Sequence, residues 1–243
     1  MAKSKAVAEK KTTAVATWRD RMAQSIEENR KVAEEAPQGG GDVISFANGT
    51  ITVGGVECNP LRGIVLAQRR MRVYYKGKWS PTSKDLPTCF SMDNKVPHEN
   101  SSESQAGKCA VCPMNQFGSA NDGESKGKAC QEGIRFAAVP LDAIDGPIYT
   151  SKKLSWSATK IWDAAVTPLG GDISSRAMLA TNKAVSGVQY QPTFRFETLP
   201  ENEEMMSLIA SRLDAAKSLV GLPYPAAEEE APKAAPSGRK RKF

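Results

Sequence analysis

Between residues 80 and 132 the chain carries four of its five cysteines amid Ser, Asn, Lys and Gly, with few aliphatic side chains. A segment of that length cannot hold itself together by burying apolar surface, so it needs a staple. Cys109-Ala-Val-Cys112 is a CxxC pair, whose tight turn lets two thiolates meet one ion. Cys89 lies 20 positions before Cys109, and Cys130 lies 18 positions after Cys112. Three stretches of chain can then be pinned at one tetrahedral point. Four thiolates leave zinc no open coordination position, so the expected cofactor is structural Zn2+, and its binding energy is folding energy for this insert. An iron-sulfur cluster has the same ligand count and ranks below zinc for want of other redox features; free or redox-active thiols are the third reading. His98, the only histidine, is either a substitute for Cys89 or an exposed loop residue. Cys58, outside the cluster, reads as a small core residue.

The remaining sequence has material for one core. Residues 1–41 read as a basic lead, an amphipathic helix from Thr13 to about Ala36 and the Gly39-Gly40-Gly41 linker. Residues 42–220 are the expected folded domain, with the cysteine insert at 80–132, and residues 221–243 a disordered mixed-charge tail. Inside the domain, Val43 to Phe46 and Thr50 to Val53 form a hairpin about Asn48-Gly49, and Arg62 to Tyr75 a long strand. Ile134 to Leu141 and Ile148 to Lys152 are strands, and Ser157 caps a short helix through Trp162. Met178 to Ala184 and Val188 to Thr198 make a second hairpin, in which Pro192 marks an edge or a bulge. A helix from about Glu201 to Val220 follows.

The long strand has two unlike faces, because side chains alternate along a strand. Val65, Ala67, Met71, Val73 and Tyr75 share one face, interrupted by Arg69. The other begins apolar at Ile64 and Leu66 and then turns basic and aromatic at Gln68, Arg70, Arg72, Tyr74 and Lys76. A binder of single strands needs cations for phosphates and rings on which bases stack. Arg70, Arg72, Tyr74 and Lys76 supply both, with Trp79 close by; Phe117, Lys126 and Lys128 form a second wall on the insert. Against this stands the plainer reading, in which Tyr74 and Trp79 are packing residues, Phe117 caps the metal core and the arginines form an ordinary solvated face.

The runs Tyr74-Tyr75-Lys-Gly-Lys-Trp79, Pro87-Thr-Cys89-Phe-Ser, Cys109-Ala-Val-Cys112-Pro-Met-Asn115-Gln-Phe117-Gly118-Ser119 and Gly127-Lys128-Ala-Cys130 resemble a family of tailed-phage proteins. The similarity runs from about Phe46 to Pro140. It implies single-stranded DNA binding and a mainly β, OB-like antiparallel barrel with a zinc-containing insert and flanking helices. It also implies a role in phage DNA replication, recombination or repair in the cytoplasm of a bacterial host, with phage replication or recombination proteins as further partners. The basic run Arg239 to Lys242 departs from the acidic tip common in bacterial single-strand binders.

The formal charge of +6, from 33 basic and 27 acidic residues, favours an anionic partner only mildly. No run approaches the roughly 20 apolar residues that cross a bilayer, so no membrane role is expected. The sequence has no GxxxxGK[ST], HExxH or GxSxG element, and a non-enzymatic protein is expected. The alternative from another class is a zinc-stabilised adaptor between proteins of a replication or transcription complex, working through the residue 13–36 or 201–220 helix.

Overall fold

The computed structural model describes residues 42–47, 49–77, 86–120, 126–186, 189–200 and 202–225. The expected helix of residues 13–36, Trp79 and the tail beyond residue 225 lie outside them.

Among the described residues of the unit that begins at Asp42 are nine strands and two α-helices. They are β1 (Val43–Ser45), β2 (Thr52–Val53), β3 (Val56–Glu57), β4 (Leu61–Tyr74), β5 (Cys89–Ser91), β6 (Gln131–Pro140), β7 (Tyr149–Ser151), α1 (Trp156–Val166), β8 (Arg176–Ser186), β9 (Gln189–Thr198) and α2 (Glu203–Gly221). The strands form one sheet in the order β3-β2-β1-β7-β6-β4-β8-β9, with β5 branching from β4. The sheet curls into an open half-barrel. All pairings are antiparallel except β1 with β7. Both expected hairpins form, as β1–β2 and β8–β9, and Pro192 lies on an edge strand, where its missing N–H breaks no ladder between two neighbours.

β4 is the spine, paired with β8 at its start, β6 along its length and β5 at its end. Its register against β6 slips between Val65 and Ala67, leaving Leu66 as a bulge. The expected face pattern is corrected here, because an extra residue reverses the alternation beyond it. Val65 faces a core cluster with Ile134, Phe136, Trp162 and Phe194, whereas Leu66 and Ala67 both join the opposite cluster, with Ile64, Ala137 and Val139. Past the bulge, Gln68, Arg70, Arg72 and Tyr74 continue on the Val65 side, since their β6 and β5 partners are Phe136, Ile134, Glu132 and Cys89.

Each side has its own helix. α1 starts at Ser155 rather than the expected Ser157: the Ser155 hydroxyl accepts from the Ala158 N–H at 3.3 Å. It buries Ala158, Thr159, Trp162 and Val166. Trp162 stacks on Phe136 at 4.6 Å and meets Phe194 edge-on at 4.9 Å. Its indole N–H donates to Gln68 Oε1 at 2.7 Å, which satisfies the one polar atom the ring carries inward. α2 is capped by Asn202, whose Oδ1 accepts from Met205 N–H at 3.0 Å, and Glu203 and Glu204 complement the dipole in its first turn. Ile209, Ala216 and Val220 bury against the Ile64 side of β4.

Candidate metal centre and nucleic-acid interface

The far end of β4 holds the cysteine insert. Cys89 opens β5 opposite Tyr74, and Cys130 immediately precedes β6, its N–H donating to Met114 O at 2.7 Å. Cys109 opens one 3-10 turn, Cys109–Val111, and Cys112 joins it to the next, Pro113–Asn115. Pro113 can open the second because its missing N–H would find no partner in a first turn. Asn115 locks the knuckle, its amide donating to Cys109 O at 2.8 Å.

All four cysteines are buried, none is in a disulfide, and all line one cavity of about 10 Å³ with Arg72 and Tyr74. That is about the room a single water-sized sphere needs. Burial pushes the Cys130 thiol up to about 11, against the pull of Arg72 and with the other three cysteines adding to the rise. Burial also raises the Cys109 thiol, while a Ser91 hydrogen bond and Arg72 pull it down. Among the described residues, no three His, Cys, Asp or Glu side chains are arranged as ligands about a common point. The residues that could hold a metal are Cys89, Cys109, Cys112 and Cys130, because all four line the same cavity. His98 is elsewhere, stacked on Phe90 at 5.0 Å with Nδ1 accepting from the Asn100 N–H. Cys58 is partly buried against the Trp162 core cluster, and burial raises its thiol.

Beside the cavity, charged side chains form a connected row. Arg72 Nη1 donates to Asn115 Oδ1 at 2.6 Å and Nη2 to Glu132 Oε2 at 2.8 Å; its buried Nε has no partner among the described residues. Glu132 Oε1 accepts from Arg70 Nη1 at 3.3 Å, and Arg70 Nη2 reaches Asp163 of α1 at 2.7 Å. Lys128 Nζ shares Asn115 Oδ1 at 3.3 Å and lies 4.8 Å from the Phe117 ring centroid.

The expected contact residues are thus differently placed. Phe117 is 79 % exposed and, with Lys126 and Lys128, stands on the insert surface. Arg70 is half-exposed, held between two carboxylates. Arg72 is mostly buried and anchors the insert. Lys76 is exposed and donates to Glu103 Oε2 at 2.9 Å. Tyr74 offers no free ring: it is 5 % exposed and packs on Cys89 and Cys130. The packing demand of the sulfurs took the ring that alternation alone assigned to the open face.

Two further features lie on the same side of the sheet without a clear mark in the local sequence pattern. Trp156 is 54 % exposed with Lys160 Nζ 3.6 Å from its centroid, a pair legible as i, i+4 once the helix starts at Trp156. An open cavity of about 400 Å³ lies between Arg70, Gln68 and Asp163 on one side and Gly170 and Gly171 on the other. The chain matches no protein-family model, no curated protein and no solved structure.

Proposed function

We propose that this chain binds single-stranded DNA with little sequence preference, through an insert stapled by zinc at Cys89, Cys109, Cys112 and Cys130. The observation that carries the reading is Phe117, exposed on an insert whose own core is a thiol-lined cavity, with Lys128 at its ring. A ring presented to solvent beside an ammonium suits a base and its phosphate, and each such stack is worth about 1 to 3 kcal/mol. The zinc is structural: it gathers the four thiolates, and the chain's own residues do the binding. The curled sheet is read as an OB-like barrel left open on one side. In the phage setting that the cysteine runs resemble, the task is coating strands exposed in replication, recombination or repair within the bacterial cytoplasm, without catalysis.

Fluorescent oligo-dT titrated at two salt concentrations tests this. Affinity should fall steeply with salt, and Phe117→Ala should weaken binding about tenfold or more. Salt-independent or absent binding would overturn the reading. Val111, 71 % exposed on the same knuckle, favours a second reading as an adaptor that docks a protein there. In that case Phe117→Ala and Val111→Ser would abolish a protein contact, and oligo-dT would not bind.

A further inference from the structure

We propose that α1 carries a second base-stacking platform, Trp156 with Lys160, and that a strand lying on the insert runs across Arg70 to reach it. This rests on the single-strand reading above. α1 has two tryptophans with opposite fates: Trp162 is fully buried, while Trp156 is 54 % exposed under the Lys160 ammonium at 3.6 Å. That pairing repeats, at the other end of the row, the arrangement of Phe117 with Lys128.

The helix geometry puts Trp156 on the flank of α1 that meets Arg70. Trp156, Lys160, Asp163 and Thr167 recur at i, i+4, i+7 and i+11, which at 3.6 residues per turn is one flank. Asp163 on that flank holds Arg70, so the flank looks onto the polar side of β4, where Arg72 and the insert lie. From Phe117 the row passes through Lys128, Asn115, Arg72, Glu132 and Arg70 to Asp163, each in contact with the next. Its cations, Lys160 included, outnumber its carboxylates, which hold the two guanidiniums side by side. Beside Arg70 opens the cavity of about 400 Å³, within the size range of small-molecule sites. Gly170 and Gly171 give it a wall of bare backbone, with no atom within 4 Å of where a Cβ would stand. The occupant that fits is a polyanion carrying flat, unpaired bases: two rings for stacking, cations between them and a recess wide enough for one base. A duplex hides those faces and would be a poorer ligand.

The experiment titrates full-length protein with oligo-dT, reading anisotropy and intrinsic tryptophan quenching. Trp156→Ala should weaken binding about tenfold or more, Trp156→Phe should keep most of the affinity while losing part of the quench, and Lys160→Gln should flatten the salt slope. Trp156→Phe retains a ring of similar packing, so a folding defect in Trp156→Ala does not mask the outcome. If Trp156→Ala binds like the unsubstituted protein while Phe117→Ala is weakened, the α1 platform is overturned and the single-strand reading stands. If the unsubstituted protein ignores oligo-dT, both fall.

Discussion

Arg72 and Asn115 are joined at 2.6 Å, and because the same guanidinium also reaches Glu132 at 2.8 Å, one side chain fastens the cysteine insert to the sheet. Only 15 % of that side chain is exposed, so its hydrogen bonds are not discounted by solvent as surface pairs are.

Arg72→Met should therefore cost about 1.5 to 3 kcal/mol per charged hydrogen bond lost, leaving Glu132 short of a partner. Arg72→Lys should recover little of it, since the two acceptors are reached by separate guanidinium nitrogens and an ammonium offers a single nitrogen on a shorter, non-planar head. Equilibrium denaturation gives the loss, and limited proteolysis should cut the variant first inside residues 86–130. An insert as resistant as in the unsubstituted protein would refute the anchoring role.

Metal removal should act on the same segment and spare the rest. The sheet has its own apolar clusters about Trp162 and Ile209, apart from the sulfurs. Chelator treatment or Cys112→Ser should therefore abolish the bound zinc measured by metal analysis and expose the insert to protease, while the β signal in circular dichroism persists. Purified protein without stoichiometric metal and with a protected insert would contradict the zinc proposal.

Trp162→Ala should be among the costliest single changes, at about 3 to 5 kcal/mol, because the ring is fully buried between Phe136 and Phe194. Trp162→Phe should cost less, yet leave Gln68 Oε1 without the indole donor it now accepts from. Urea denaturation of both variants separates the packing loss from the hydrogen-bond loss.

Alkaline pH should loosen the chain where it leaves α2. Tyr224 packs edge-on against Phe90 at 5.1 Å, with Asn100 donating to its carbonyl at 3.0 Å. Burial pushes the Tyr75 phenol up to about 12, with Tyr224 adding to the rise, and burial also raises Tyr224 against the pull of Arg135. Both folded-state values exceed the ordinary value of 10.0, so the unfolded chain gives up these protons first. The stability they contribute is complete below pH 10 and is lost as pH rises towards about 12. Tyr75→Phe and Tyr224→Phe should each flatten that decline in a melting-temperature series, and an unchanged slope in both would refute it.

Much of the scaffold was legible, and the failures share a cause. Long apolar or alternating runs bounded by turns gave β4, β6, both hairpins and α2 within a few residues, since local pattern and tertiary burial agree there. The Leu66 bulge left no mark, because it lies within a run of apolar residues, Ile64 to Ala67, that suits either face. The charges on β4 read as an open cationic surface because their partners, Glu132 and Asp163, lie 60 or more positions away. Tyr74 was drawn inward by the cysteines beside it, a demand that only the pairing of β4 with β5 reveals. A cap at Ser157 puts Trp156 outside the helix and apart from Lys160, and only the start at Ser155 brings the two onto one face.

The bulge at Leu66 also makes β4 a counter of odd and even. Every side chain beyond it keeps its side of the sheet only while that one surplus residue is retained. A chain shortened by Leu66 would trade Arg70 and Arg72 for Arg69, Met71 and Val73, turning the thiol cavity's neighbour into a greasy wall and thrusting guanidiniums under α2. Substitutions along this strand can be absorbed one by one, but a single codon gained or lost there would scramble both faces at once.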